Sequence, residues 1–176
     1  KFTDNKFDFK KLNKISIENA LIKILSSANH SNKSWITEQY DQMVMCDTVQ
    51  KSGSDAAIIR IHNKDKAIAV SVDSSANYCK SFPLTGGKQI VCENWRNLIA
   101  VGAKPLAITN CLNFGNPENE EIMGEFAECL EGIKEACEFL NYPVVSGNVS
   151  FYNGTNKKNI YPTPVIGGVG IINKLL

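Results

Sequence analysis

The order of apolar and polar segments predicts an α+β fold in which helices cover one face of a mixed β-sheet. Two apolar strands joined by the polar loop Asn63-Lys64-Asp65 indicate a β-hairpin. Two amphipathic segments, residues 86–101 and 117–140, then alternate with short apolar runs. The predicted order is β-β-α-β-α-β-β. Such a sheet keeps a second face free, which a second copy of the chain is able to cover.

The first 34 residues are predicted to be a linker arm and a helix that lie outside the core. Residues 1–14 are rich in Lys and Asn and have only scattered Phe. Ser16 is a helix cap, and apolar residues at helical spacing follow it: Ile17, Ala20, Leu21, Ile24 and Leu25. Residues 35–49 are compatible with either a helical turn or an irregular arm. The sequence therefore predicts a linker at 1–34 and one domain at 35–176.

Within the domain, residues 55–62 and 66–73 are the hairpin strands, and a polar loop follows them. The next helix ends at Gly102, whose position fits a left-handed cap, and Pro105 follows at the expected distance. Residues 106–109 are the next strand. The helix that ends at Gly102 has an apolar face formed by Val91, Trp95 and Leu98.

The longest helix is predicted to start at Asn116-Pro117, with proline at its first position. Its apolar stripe consists of Ile122, Phe126, Leu130, Ile133, Cys137 and Leu140. Glutamates cover the other face and are interpreted as solvated: Glu125, Glu128, Glu131, Glu135 and Glu138. Val144-Val145 and the glycine-interrupted run 165–172 are the last strands.

Composition excludes several functional classes. The chain has 176 residues, 43% of them hydrophobic and 21% charged, with a net charge of +1. This charge argues against binding to nucleic acid or to an anionic membrane. No apolar run approaches the roughly 18 residues of a membrane span. The chain begins with Lys1 and has no signal peptide, so we expect a cytoplasmic protein that is a piece of something longer.

The six cysteines form no Cys-x-x-Cys pair, and the sequence has only two histidines that could join them as zinc ligands. We therefore expect reduced, mostly buried thiols rather than a zinc site or disulfides.

Two polar stretches are the candidate ligand site. Residues 143–150 read as a short strand, Val144-Val145, that enters a turn of Ser, Gly and Asn. Residues 108–110 end a second strand in the same way. Ligands gather at the carboxyl ends of such strands, where glycine permits close backbone approach and Asn and Ser supply neutral hydrogen-bonding groups. The pattern favours positioning of a nucleotide and its metal over acid–base catalysis.

Two further features each have two open interpretations, and two others are interpreted as structural. Gly86-Gly87-Lys88 fits a phosphate site at a helix N-terminus, or simply a turn followed by a helix start. Asp73 is either a Mg²⁺ ligand or a loop cap. Arg96 with Asn97 is interpreted as a surface pair, and His62 as an exposed histidine at a loop edge.

Several segments together resemble the long, ammonia-consuming subunit of the phosphoribosylformylglycinamidine synthase family in its small bacterial form. The most specific motifs are Cys-Leu-Asn-Phe-Gly-Asn-Pro at 111–117 and Ser-Gly-Asn-Val-Ser at 146–150. The resemblance covers about residue 17 to the end, through the runs 35–44, 53–57, 86–89, 95–98, 101–109, 111–118, 144–153 and 162–170.

The resemblance implies a ferredoxin-like N-terminal domain of the aminoimidazole ribonucleotide synthetase type, belonging to the second half of that subunit. It implies a role in the ATP-dependent conversion of formylglycinamide ribonucleotide and ammonia to the amidine in purine biosynthesis. ATP and Mg²⁺ are the implied cofactors. The implied partners are the remaining domains of the same subunit, a glutaminase subunit and a small bridging subunit. An architectural, non-catalytic role in the same enzyme is the alternative, and a homodimer of the fragment remains open.

Site residues follow from the resemblance position by position. Asn110 and Gly147 are expected to contact ATP, Asn148 to bind Mg²⁺, and Ser150 to contact the ribonucleotide. The family carries Asp at the position of Asn110, and Asn lacks its negative charge. The Ser-His-Asn-His motif with the family's catalytic histidine belongs to the first half and does not occur here. The resemblance therefore implies no catalytic residue in this chain and half of a bipartite active site.

Overall fold

The structure is a computed structural model and describes residues 15–40, 42–51 and 53–175. The described residues before and after position 41 belong to two separate compact units. The predicted arm at 1–14 lies outside the described residues. The first unit contains helix α1 (Ile17–Leu25), a 3₁₀ turn (Ala28–His30) and the one-turn helix α2 (Ser34–Thr37).

Ser16 caps α1 as predicted, because its hydroxyl accepts a hydrogen bond from the backbone N–H of Asn19. The apolar residues of α1, including Leu21 and Ile24, are exposed. Within the described part of the first unit, α1 therefore has an apolar face that no other element covers.

The second unit begins with a 3₁₀ turn (Val44–Cys46), and its helices and strands follow in alternation. In chain order they are β1 (Thr48–Gln50), β2 (Ala57–Arg60), β3 (Ala67–Ser74), α3 (Ala76–Ser81), α4 (Pro83–Ala100), β4 (Lys104–Asn113), α5 (Glu120–Leu140), β5 (Val144–Ser150), β6 (Gly154–Thr155), β7 (Lys158–Asn159) and β8 (Thr163–Ile172).

Six strands form one mixed sheet in the order β1-β2-β3-β8-β4-β5, and β6 and β7 form a separate two-stranded ribbon. Neighbouring strands of the large sheet are antiparallel, except that β4 and β5 are parallel. Helix α4 packs on β3, β8 and β4, and α5 packs on α4. The predicted α+β fold with helices on one face of a mixed sheet is confirmed.

The core lies between the sheet and these helices. Its fully buried members come from both layers, because side chains alternate along each strand and recur every three to four residues along each helix. They include Ile90, Val91, Leu98, Ile108, Ile133 and Ile166. An edge-to-face chain of aromatic rings, Phe114–Phe126–Phe151, continues the core, with centroids 5.1 Å apart in each pair. None of the helices in the described residues has the length and apolar character needed to cross a bilayer.

The opposite face of the sheet is uncovered within the described second unit, and it is apolar on β2, β3 and β8. Val72 is 67% exposed, and Ile59 and Val169 are each 40% exposed. Val72 and Val169 alternate with buried or helix-facing neighbours along their strands. The sheet therefore has one packed face and one open face.

Two glycines interpreted either as a phosphate site at a helix N-terminus or as a turn before a helix start instead lie inside α4. This helix begins at Pro83, and the N–H of Gly86 already donates to the carbonyl of Phe82. A Cβ on Gly87 would lie 2.4 Å from the carbonyl oxygen of Cys129 on α5. Neither interpretation holds, because the helix begins three residues earlier; Gly86 packs against Cys79 of α3 and Gly87 against α5.

Glu125 was predicted to be solvated, but it is 2% exposed. Its carboxylate is paired with the ammonium of Lys80 on α3, which also reaches Glu121 at 3.4 Å. The hydrogen bond to Glu125 is the main reason that the pKa of Lys80 is raised. The prediction fails because α3 forms within what the sequence suggested to be a polar loop, and it covers this part of α5.

Candidate functional site

The polar residues of the candidate site lie within two long strands, not in turns after short ones. The predicted strand Val144-Val145 continues to Ser150, and the strand predicted to end near Asn110 continues to Asn113. Polar residues normally suggest the end of a strand. Here they remain in the ladder because this part of the sheet is not packed on both faces, so their side chains reach solvent.

The four predicted ligand residues fall on two faces of the sheet. Asn110 pairs with Gly147 in the parallel β4–β5 register, and Asn148 and Ser150 lie opposite Cys111 and Asn113. Because side chains alternate along a strand, Asn110 and Gly147 share one side, and Asn148 and Ser150 share the other. The structure brings the four residues onto adjacent strands but separates them into two pairs.

Asn110 and Gly147 are in direct contact. A Cβ added to Gly147 would lie 2.1 Å from Oδ1 of Asn110, so only glycine leaves room for this carboxamide. Asn110 is half-buried. None of the hydrogen bonds between described residues involves the Asn110 side chain. Its carboxamide therefore keeps its full capacity to bind a ligand.

The open face carries a groove of about 390 Å³ over β4 and β5. Its polar groups are neutral: Thr109 and Ser146 share a hydrogen bond of 2.7 Å, and the exposed Asn148 lies beside them. The remaining lining residues are Val72, Asn110, Cys111, Gly147, Val165 and Gly167. The groove offers hydrogen bonds and apolar contact but no carboxylate or imidazole.

Ser150 ends β5 and is half-buried. Its hydroxyl lies 3.1 Å from Nδ2 and 3.3 Å from Oδ1 of Asn153. The turn that contains Asn153 contacts the loop after β4, because the N–H of Tyr152 donates a hydrogen bond of 2.9 Å to the carbonyl of Gly115. The two strand ends are therefore tied together next to Ser150.

Asp73, interpreted either as a Mg²⁺ ligand or as a loop cap, is part of a hydrogen-bond network between β3 and α4. Its carboxylate accepts hydrogen bonds from Nδ2 of Asn94 and Nδ2 of Asn97, both at 2.8 Å, and from the hydroxyl of Ser71 at 2.8 Å. Both carboxylate oxygens are thus occupied by groups that fasten α4 to β3. Asn97, interpreted as part of a surface pair, belongs to this network.

Asn94 and Tyr142 are residues that sequence reasoning missed. Asn94 is fully buried and also donates to the carbonyl of Ser71 at 3.1 Å, while the Tyr142 hydroxyl donates to Oδ1 of Asn94 at 2.8 Å. Burial is the main reason that the pKa of Tyr142 is raised. The signal in the sequence was a polar residue among the apolar positions of α4, but its partners come from three distant segments: β3, Tyr142, and the carbonyl of Ile166 on β8 at 3.4 Å.

His62 does not line the groove. His62 is half-exposed and its Nε2 lies 2.7 Å from the carboxylate of Asp47, next to Arg60. Among the described residues, no group of three or more His, Cys, Asp or Glu is arranged to hold a metal ion. All six cysteines are free; three of them are buried, and Cys46 and Cys111 are exposed, so the prediction of mostly buried thiols holds for only half of them.

Comparison with known proteins identifies the family. A family model described as AIR synthase related protein, N-terminal domain, matches residues 53–172. The phosphoribosylformylglycinamidine synthase subunit PurL of Pelagibacter ubique is 62% identical over 167 residues, covering 95% of this chain and 23% of that relative. The same subunit of Azorhizobium caulinodans is 52% identical over 159 residues, covering 90% and 22%. The chain thus spans less than a quarter of the length of these curated relatives.

Solved structures agree with this. PurLQS from Thermotoga maritima matches with a TM-score of 0.76 and 39% identity, covering 81% of this chain and 24% of that chain. T. maritima PurL complexed with ATP matches with a TM-score of 0.72 and 38% identity, covering 81% and 24%. T. maritima PurL complexed with FGAR matches with a TM-score of 0.71 and 39% identity, covering 81% and 23%. The predicted resemblance is confirmed, and the chain belongs to the AIR synthase related family, with its N-terminal domain at residues 53–172.

Proposed function

We propose that this chain is a domain of the ATP-dependent phosphoribosylformylglycinamidine synthase, acting on formylglycinamide ribonucleotide (FGAR) in purine biosynthesis. The observation that carries the proposal is the neutral polar surface on β4 and β5, in a chain that is 62% identical to PurL over 95% of its length. The T. maritima PurL complexes with ATP and with FGAR support ligands of these two kinds.

In this proposal Asn110 and Gly147 contact ATP. The hydrogen-bonding capacity of the half-buried Asn110 amide supports this assignment, as does the exposed backbone of Gly147 on the neighbouring strand. An uncharged amide suits a nucleotide contact, because it donates and accepts hydrogen bonds without adding charge beside phosphates.

Asn148 is proposed to contact Mg²⁺, and Ser150 to contact FGAR. An amide oxygen is a suitable Mg²⁺ ligand, and such ions usually take their other ligands from water and from substrate phosphates. This fits a chain whose described residues provide one exposed amide here and no carboxylate cluster. A bound Mg²⁺ would neutralise phosphate charge, while Asn148 and Ser150 would orient the ligands.

The chain is proposed to contain no catalytic residue and to be inactive by itself. Among the described residues that line the groove, Cys111 is the one side chain with a titratable group. A proton acceptor for the attacking ammonia must therefore come from elsewhere in the subunit. This is consistent with a bipartite site in which the present domain, residues 35–176, supplies binding groups and residues 1–34 are a linker.

The open sheet face is proposed to pack against another domain of the subunit or, for the isolated chain, against a second copy. Its exposed Val72, Ile59 and Val169 support an interface, because contiguous apolar surface of this kind is unusual on a monomer. A glutaminase subunit and a small bridging subunit are the further proposed partners. The protein is proposed to act in the cytoplasm.

The test is to measure turnover of FGAR in the full-length subunit with its glutaminase and bridging partners. Asn148→Ala and Ser150→Ala should each lower kcat/KM at least about tenfold, equivalent to about 1.4 kcal/mol of lost transition-state stabilisation. Asn156→Ala, on the exposed β6–β7 turn, is the matched control and should be close to wild type. The 176-residue chain alone should show no turnover.

A purely architectural role makes a different prediction. If the domain served only as a scaffold through its open face, Asn148→Ala and Ser150→Ala would change thermal stability and leave kcat/KM unchanged. Wild-type kinetics in both variants would overturn the ligand assignments.

A further inference from the structure

Asn153 holds the end of β5 through one carboxamide with an unusual number of contacts. Its Nδ2 lies 2.9 Å from the carbonyl oxygen of Ser150, 3.0 Å from that of Phe114 and 3.1 Å from the Ser150 hydroxyl, so its two protons serve three acceptors and one proton is shared. Because carbonyl oxygens only accept hydrogen bonds, the atom that faces two of them must be the amide nitrogen. The orientation of the carboxamide is therefore fixed by the backbone around it.

The chain bends back sharply to place Asn153 next to Ser150. Tyr152, between them, has a φ of +59°, a left-handed conformation that is costly for a residue with a side chain. Backbone hydrogen bonds hold it there, from Tyr152 to the carbonyl of Gly115 at 2.9 Å and from Asn153 to the carbonyl of Phe114 at 3.2 Å. The strained turn keeps Asn153 within reach of the Ser150 hydroxyl.

This arrangement decides what Ser150 is able to offer a ligand. A hydroxyl has one proton to donate and two lone pairs that accept. A lone pair of Ser150 receives the amide N–H of Asn153, while the hydroxyl proton points to Oδ1 of Asn153 across a long contact of 3.3 Å. A ligand oxygen easily replaces so weak an acceptor, so the Ser150 proton is available for donation to a ligand, while the Asn153 N–H engages one of the two lone pairs.

We propose that Asn153 is a positioning residue that makes Ser150 a hydrogen-bond donor toward an oxygen of the ribonucleotide. This inference rests on the proposed function, in which Ser150 contacts FGAR. Asn153 itself acts through Ser150, because its carboxamide is already occupied by Phe114 and Ser150.

The central variant is Asn153→Asp in the full-length subunit, which keeps the size of the side chain but replaces the donor with an acceptor. The Ser150 proton would then be captured by the carboxylate, so KM for FGAR should rise about tenfold, the effect of one lost hydrogen bond, with kcat changed less than twofold. Asn156→Asp is the matched control, since it adds the same charge three residues along the chain on the exposed ribbon. It should leave KM unchanged.

A double-mutant cycle tests whether Asn153 acts through Ser150. If it does, Asn153→Asp in a Ser150→Ala background should raise KM less than about twofold further, because residues that share one interaction are not additive. Asn153→Ser, which removes the amide without adding charge, should show the same non-additivity and serves if the Asp variant does not fold. Multiplicative effects of Asn153 and Ser150 on KM would overturn the proposal, as would an unchanged KM in both Asn153 variants.

Failure of the proposed function gives a different result from failure of this inference. If the wild-type assembly neither binds nor turns over FGAR, the proposed function is wrong and Asn153 has no ribonucleotide to position. If the wild type is active and Ser150→Ala raises KM while Asn153→Asp does not, the function stands and the positioning role is wrong.

Discussion

Helices α4 and α5 approach closely at Gly132, and adding one methyl group there should destabilise the domain. An ideal Cβ at this position would lie 2.0 Å from the carbonyl oxygen of Leu84, about 1 Å inside the shortest separation that Cβ atoms tolerate. The same Cβ would lie 3.2 Å from the backbone nitrogen of Lys88, so the two helices cannot avoid the contact by moving a side chain. Gly132→Ala must therefore push the helices apart.

The expected cost combines two opposing effects. Overpacking a well-packed interface costs about 1–3 kcal/mol or more, while replacing glycine by alanine within a helix gains about 1 kcal/mol. Because the clash is with backbone, we place the overpacking at or above the upper end of its range and expect a net loss of about 2 kcal/mol. In a domain of this size, that loss lowers Tm by about 4–8 °C.

Gly124→Ala on the same helix is the matched control, because nothing lies within 4 Å of its Cβ position. Helix propensity alone should act there, and the variant should be about 0.5–1 kcal/mol more stable than wild type. Urea unfolding followed by circular dichroism measures both changes. A Gly132→Ala variant as stable as Gly124→Ala would refute the close approach of α4 and α5.

Two further predictions concern buried titratable groups. Lys80→Met should lower the free energy of unfolding by about 2–3 kcal/mol, because it leaves the 3%-exposed Glu125 carboxylate unpaired; the loss is smaller than for a fully buried pair because Lys80 is half-exposed. Lys134→Met breaks the exposed Glu131–Lys134 pair and should cost under about 0.5 kcal/mol in the same urea assay. Equal losses in the two variants would contradict this prediction. Burial and the nearby Cys92 raise the pKa of Cys137 to about 11, so the unfolded chain releases this proton first as pH rises. Stability should therefore fall between about pH 9 and 11, by at most about 3 kcal/mol from this group, and Cys137→Ala should show a shallower fall.

The parts of the fold that depend on local signals were predictable from the sequence. The hairpin of β2 and β3 follows from two apolar runs around a polar loop, and Gly102 ends its helix with a φ of +79° as expected. Ser16 caps α1 through its own hydroxyl. In each case the residues that determine the structure lie within a few positions of one another.

What the sequence could not provide depends on contacts between distant segments. Nothing local shows that Glu125 meets Lys80, 45 positions away, or that Asn94 meets Tyr142, 48 positions away. Local polarity predicted a solvated glutamate and predicted that β5 ends at Val145. Both predictions fail for the same physical reason: a polar residue remains in a helix or strand wherever tertiary structure gives it a partner or solvent.

The candidate site combines a predictable and an unpredictable part in the same strand. The residue types at 146–150 indicated neutral ligand contacts, and those groups are present on β5. Because side chains alternate along a strand, Gly147 and Asn148 face opposite sides of the sheet, so residues 146–150 contribute to two different surfaces. Asn110 fills the space beside Gly147, so a side chain at 147 would displace it, whereas Asn148 projects into the open groove. Substitutions at 147 should therefore disturb Asn110 as well as any ligand, while substitutions at 148 act on the ligand alone.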